Sequence, residues 1–143
     1  MGSAQRVLVV DDEPAIRALV AKIIDRAGLS VDTAANGQEA IEKLDHHSYA
    51  VLVVDLMMPQ VDGYAVIDHL RDRGAQKPAI IVITAGDAAA IRRLDGAMVH
   101  SVVRKPFDIE VLSDLVMAAA KSVDERGSDE GDATGGIVPF RVR

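Results

Sequence analysis

Two aspartates, Asp11 and Asp12, follow directly on the apolar run Val7-Leu8-Val9-Val10, and a third, Asp55, follows directly on Ala50-Val51-Leu52-Val53-Val54. Burying a charge is costly unless something pairs with it, so carboxylates at the ends of core-forming runs ask for a partner. Two more apolar runs end on other polar groups: Ala79 to Ile83 runs into Thr84, and Val99 to Val103 runs into Arg104-Lys105-Pro106. Three carboxylates brought to one place repel each other unless a cation intervenes. No histidine or cysteine joins the set, so the donors are hard oxygens. That predicts Mg²⁺ or Mn²⁺, held by one or two carboxylates, a carbonyl and waters, with positions open to phosphate oxygens. Lys105 adds a point positive charge and Thr84 a hydroxyl donor. The chemistry these residues could do together is to accept a phosphoryl group on the Asp55 carboxylate.

The elements between these residues predict that they do converge. Val7–Val10 reads as a strand buried on both faces. Pro14 suits a first helical turn, and Ile16, Leu19, Val20, Ile23 and Ile24 follow at helical spacing up to Gly28. Val31 and Thr33 alternate with Asp32 and Ala34, the pattern of a half-exposed edge strand. Asn36-Gly37 then opens a helix carrying Ala40, Ile41 and Leu44. The strand before Asp55 is followed by a helix with Tyr64, Val66, Ile67 and Leu70, ending near Gly74. A fourth strand at Ala79–Ile83, a short helix at Ala88–Leu94, a fifth strand at Val99–Val103 and a last helix along Ile109, Leu112, Val116, Ala119 and Val123 complete the rhythm. Five alternations predict an α/β fold: a flavodoxin-like, doubly wound, five-stranded parallel sheet in the order 2-1-3-4-5, with five helices. Ligands in such sheets bind beyond the carboxyl ends of the strands, where strand order reverses. Strands one and three flank that point, so Asp11, Asp12 and Asp55 are predicted to face one crevice. On this reading the core delivers Asp55 to a shared polar site and does not bury it.

Composition sets the outer bounds. The chain has 143 residues, no cysteine and a net charge of −6. That length holds one domain with an ordinary core, and the absence of cysteine excludes a disulfide framework and a thiolate metal site. The negative charge argues against nucleic-acid binding by this chain. No apolar run approaches the roughly 20 residues that span a bilayer, and Met1 to Arg6 lacks a signal core; a soluble, cytoplasmic protein with no membrane partner is the expectation. After Ser122 the sequence turns acidic and glycine-containing, through Asp124, Glu125, Gly127, Asp129, Glu130 and Gly131. Residues 1–122 are therefore read as the folded domain, and 123–143 as a tail or truncated linker closed by the apolar-basic patch Ile137 to Arg143.

In order and at about the family's spacing, with the stretch from Thr84 to Lys105 about one residue shorter than is common, "VLVVDDEP", "VLVVDLMMPQVDG", "IIVITA" and "VVRKPF" resemble the receiver domain of two-component response regulators, over about residues 5 to 122. The resemblance implies that Asp55 is the phosphoacceptor and that Asp12 and Asp55 bind Mg²⁺ with the Met57 backbone carbonyl, Asp11 contributing directly or through water. It implies that Thr84 and Lys105 hold the phosphoryl oxygens and that Lys105-Pro106 is a cis peptide. It implies a histidine kinase or phosphotransfer protein as donor, and a homodimer through the fourth helix, fifth strand and fifth helix. Such a module is a switch and no turnover enzyme: its chemistry is self-catalysed phosphorylation and dephosphorylation of Asp55. One departure stands out. Val102 occupies the place of the family's inward-swinging Tyr or Phe.

Other readings are weaker. Asp11-Asp12 could cap a helix, which leaves Asp55 and Lys105 unexplained. A phosphohydrolase of the haloacid-dehalogenase type also uses an aspartyl-phosphate and Mg²⁺, but needs a second Asp where Met57 stands. A flavodoxin-like cofactor site would need glycine- or hydroxyl-rich loops after strands one and three, which hold acids instead. His46 and His47 read as solvated surface, and His100 as a strand residue near the surface.

Overall fold

Branched apolar side chains fit a pleated sheet better than a helix, and the Val- and Ile-rich runs become strands. The computed structural model describes residues 5–128 and 141–142. Strands β1 (Arg6–Val10), β2 (Ser30–Ala34), β3 (Val51–Asp55), β4 (Ala79–Thr84) and β5 (Ser101–Arg104) alternate with helices α1 (Pro14–Arg26), α2 (Gly37–His46), α3 (Gly63–His69), α4 (Ala88–Arg92) and α5 (Ile109–Ser128). These strands are parallel and lie in the expected order β2-β1-β3-β4-β5; a sixth, β6 (Arg141–Val142), runs parallel to β5 on its outer side.

Alternation along each strand splits the core into two layers. Leu8, Val10, Leu52, Val54, Ile80, Val82 and Val102 face α2, α3 and α4. Val7, Val9, Val51, Val53, Ile81, Ile83 and Val103 face α1 and α5. Every residue of β3 is buried. Full burial of a Val or Leu side chain contributes about 1.5–3 kcal/mol, so Val51 to Val54 together outweigh the several kcal/mol that a desolvated carboxylate next to them costs.

Local signals set the helix starts. Pro14 opens α1 at its first turn. The Asn36 side chain accepts the Glu39 N–H at 2.8 Å while the Glu39 carboxylate accepts the Ala35 N–H at 2.8 Å, two orphan donors satisfied at one helix start. Asp62 and Asp87 cap α3 and α4 in the same way, by accepting N–H bonds from Ala65 and Ala90 at 3.0 Å each.

Three boundaries differ from the sequence pattern. α4 ends at Arg92, and β5 starts at Ser101 instead of Val99. Asp95 is the cause: its side chain accepts the Ala97 N–H and its carbonyl the Met98 N–H, both at 2.9 Å. This turn sends Met98 and Val99 into the core without pairing them to β4. α5 continues through Ser128, past the compositional change at residue 123. Most of the expected tail, residues 129–140 and 143, lies outside the described residues.

The loop after β3 returns sharply toward the strand it leaves. Gly63 donates its N–H to the Leu56 carbonyl at 3.0 Å, and a β-carbon on Gly63 would collide with the Asp55 carbonyl oxygen and sit 2.7 Å from the Leu56 α-carbon. Gln60, at the tip of the loop, has φ 66°, a left-handed conformation that side chains other than glycine adopt at a cost.

Candidate functional site

The carboxyl ends of β1, β3, β4 and β5 bring together the residues that the sequence singles out. Asp11 and Asp12 follow β1, Asp55 is the last residue of β3, Thr84 the last of β4, and Lys105 follows β5. Asp11, Asp12 and Asp55 each place a carboxylate oxygen within 4.8 Å of the other two. Asp11 and Asp55 are buried, while Asp12 is open to solvent. One expectation needs correcting. Asp55 is only 4% exposed, so the core both delivers and buries it.

Lys105 lies among these acids. Its Nζ donates to Asp11 Oδ2 at 3.1 Å, to Asp55 Oδ2 at 3.3 Å and to Glu13 Oε1 at 3.3 Å. The second oxygens are held by backbone amides: Glu13 N–H donates to Asp11 Oδ1 at 2.9 Å, and Met57 N–H to Asp55 Oδ1 at 3.3 Å. Burial pushes the Asp55 carboxyl above its usual range; Lys105 and the Met57 amide pull it down, and the Asp11 charge adds to the rise. Burial alone would lower the Lys105 ammonium, but the charges of Asp55 and Asp11 hold it above its ordinary value. The Asp55 carboxylate is thereby kept beside its counter-charge, in a setting drier than water.

The donor set suits a hard divalent cation. Two buried carboxylates and one exposed carboxylate offer oxygens only, and Asp12 opens the cluster to solvent. Such an ion would join Asp12 and Asp55, which also leaves phosphate oxygens room to coordinate. Met57 is 60% exposed and contributes a thioether side chain, which has no proton to give.

Thr84 is fully buried, and its hydroxyl accepts the Gly86 N–H at 2.9 Å. Its carbonyl accepts the Lys105 N–H at 2.9 Å, and the Lys105–Pro106 peptide is cis. The hydroxyl and the ammonium are thus carried by paired strand ends. Val102 sits directly opposite Val82 and is fully buried in the layer facing α2–α4. His100 is half-buried just ahead of β5, its Nδ1 2.8 Å from the Ser101 hydroxyl.

Sequence reasoning passed over several groups. Glu13 was legible only as the neighbour of Asp11-Asp12, yet it is a third partner of Lys105. Arg17, one turn into α1, donates to the Asp11 carbonyl at 2.9 Å. Arg104 reaches the Gly86 carbonyl at 3.4 Å. At the start of α3, Tyr64 donates its hydroxyl to the Ala90 carbonyl at 2.6 Å, and the Arg93 guanidinium stacks 4.0 Å above its ring. Helical spacing had marked Tyr64 only as a core-facing residue.

Comparison with known proteins agrees with this geometry. The sequence profile of the response regulator receiver domain matches residues 7–117. The transcriptional regulatory protein TcrA of Mycobacterium tuberculosis is 35% identical over 127 residues, which cover 87% of this chain and 48% of TcrA. The chain thus spans about half the length of that curated relative. Among solved structures, the response regulator TrrA of Thermotoga maritima, in complex with Mg²⁺ and BeF, is 32% identical with a TM-score of 0.72, covering 80% of this chain and 98% of TrrA. A signal receiver domain from Bermanella marisrubri is 33% identical with a TM-score of 0.74, covering 82% and 98%. Nothing in these likenesses supports the haloacid-dehalogenase alternative.

Proposed function

Because the chain belongs to the response regulator receiver family, we propose that it is switched by a phosphoryl group transferred to Asp55 from the phosphohistidine of a kinase or phosphotransfer protein. The observation that carries this reading is the Lys105 ammonium held between Asp11 and Asp55, carboxylates delivered by two neighbouring strands. An Asp55 oxygen forms the bond to phosphorus as the bond from phosphorus to the donor's nitrogen breaks. Asp12 and Asp55, with Asp11 and the Met57 carbonyl, would hold Mg²⁺, whose charge would neutralise phosphoryl oxygens. Lys105 keeps one of those oxygens as its charge develops, and the Thr84 hydroxyl, which accepts from Gly86, donates its own proton to another. In this reading the chain acts in the cytoplasm, contacts no nucleic acid itself, and pairs with a second copy through α4, β5 and α5.

The test is to incubate the protein with Mg²⁺ and acetyl phosphate and to measure its intact mass. One phosphoryl group should be added to the wild type and none to Asp55→Asn. Equal labelling of the two would refute the assignment.

A further inference from the structure

A five-stranded sheet in this order has two edges, β2 and β5, and they are built differently. β2 is half-exposed and carries edge protection: Asp32 on it accepts the Tyr49 hydroxyl at 2.7 Å and lies 3.7 Å from the Arg6 guanidinium. β5 reads like an interior strand. Ser101, Val102 and Val103 are all buried, and no charge occurs from Val99 to Val103. The one charge on β5 is Arg104, exposed at its last position, so the three residues before it would form an open uncharged edge, a template for pairing with another chain that proteins cover or charge. In this molecule the cover is present. Arg141 pairs with Ser101 and Val142 with Val102, in the parallel sense.

The pairing continues the rule by which the sheet is built. α5 follows β5 and β6 follows α5, so β5-α5-β6 repeats the strand–helix–strand unit of the rest of the fold. The pairing begins at Ser101, the first residue of β5. Arg141–Val142 also belongs to Ile137–Arg143, an apolar-basic stretch after an acidic, glycine-containing one.

We propose that the Arg141–Val142 segment is a resident cover for the β5 edge, docked on the chain it belongs to, and that the α4–β5–α5 face pairs with a second copy only once this cover is withdrawn. The second half of the proposal rests on the homodimer reading given above.

The full chain is compared with the double variant Arg141→Pro/Val142→Pro, because proline removes the strand's N–H donors. In the wild type, amides of Ser101 to Arg104 that face the edge should exchange slowly with solvent, at a rate independent of protein concentration. In the variant they should exchange roughly tenfold faster, as expected for loss of one or two edge hydrogen bonds, with far-UV circular dichroism unchanged. With Mg²⁺ and beryllofluoride, sedimentation should show the variant dimerising at concentrations where the wild type is still monomeric. Equal exchange in the two proteins would overturn the docking. Wild-type protection that grows with protein concentration would overturn it too, by showing that the strand comes from a second copy. Equal dimerisation of the two would overturn the masking. Faster exchange with no dimer in either protein supports the docking and sinks the homodimer reading instead.

Discussion

The Thr84 hydroxyl accepts the N–H of Gly86, two residues further on, at 2.9 Å. Its own proton stays free to bond a phosphoryl oxygen, and because the Gly86 amide is tied to the same oxygen, any movement of Thr84 is felt first in the loop leading to α4. Val102 has a single stiff side-chain torsion and short reach, and cannot replace a swinging aromatic ring. With Mg²⁺ and beryllofluoride, amide chemical shifts should change most in the loops after Asp55 and Thr84, and less around Val102 and α5. The reverse distribution would place the switch elsewhere. Thr84→Val should keep the fold at a cost of about 1–2 kcal/mol, from the Gly86 amide losing its partner, and should quiet the response in the Thr84 loop.

Asp55 also predicts how stability depends on pH. Burial raises its carboxyl above the usual range, and Lys105 only partly offsets that. A carboxyl that binds its proton more tightly in the fold than in the unfolded chain favours folding when protonated. Its contribution is complete below the ordinary aspartate range and is lost as pH rises through the raised folded value. Without divalent cations, Asp55→Asn should therefore be more stable than the wild type at neutral pH, with the gain fading in acid. Urea midpoints at several pH values measure this; a less stable Asn variant at neutral pH would mean that pairing with Lys105 outweighs burial.

Once formed, the aspartyl-phosphate should persist. Hydrolysis needs a water held in line behind the phosphorus, and the side chains expected nearest that path are at positions 57 and 86. Met57 and Gly86 offer no hydrogen-bonding side chain to hold it. Met57→Asn should hasten decay by about tenfold or more, read as loss of the added mass with time. An unchanged decay rate would count against this placement of the water.

The close approach at Gly63 makes a separate prediction. Gly63→Ala puts a methyl group against the Asp55 carbonyl oxygen and 2.7 Å from the Leu56 α-carbon. These are backbone atoms and cannot swing aside. A loss of about 2–4 kcal/mol follows from overpacking of this kind, together with weaker Mg²⁺ binding, because the strand end that moves carries Asp55. Denaturant unfolding and a metal titration would show both effects.

Much of this site is legible in the sequence because the strands and the acids write different signals. An unbroken Val-Val run followed at once by a carboxylate occurs at Asp11 and again at Asp55, and the topology rule for parallel sheets brings the two ends together. Lys105 and Thr84 were found in the same way. Side chains whose roles depend on distance through space were not. Glu13 joins Lys105 only because the sheet register sets Val10 level with Val102, three residues before each of them, and Tyr64 meets Ala90 across 26 residues. The late start of β5 had a local signal in Asp95-Gly96, but an apolar run at Val99 speaks louder than a turn. β6 is two residues long, too short for any periodicity to show, and its pairing depends on an edge that exists only in the folded sheet.

Lys105 alters what metal binding means at this site. A divalent ion reaching Asp11 and Asp55 meets oxygens already engaged by an ammonium on a flexible four-carbon leash. Loading is therefore an exchange between a free cation and a tethered rival whose local concentration the chain itself fixes. The apparent affinity is a ratio of two attractions, and it falls below what the acids alone would give. The same leash returns when the ion leaves, so the acids never face one another bare, and the crevice keeps its shape between one loading and the next.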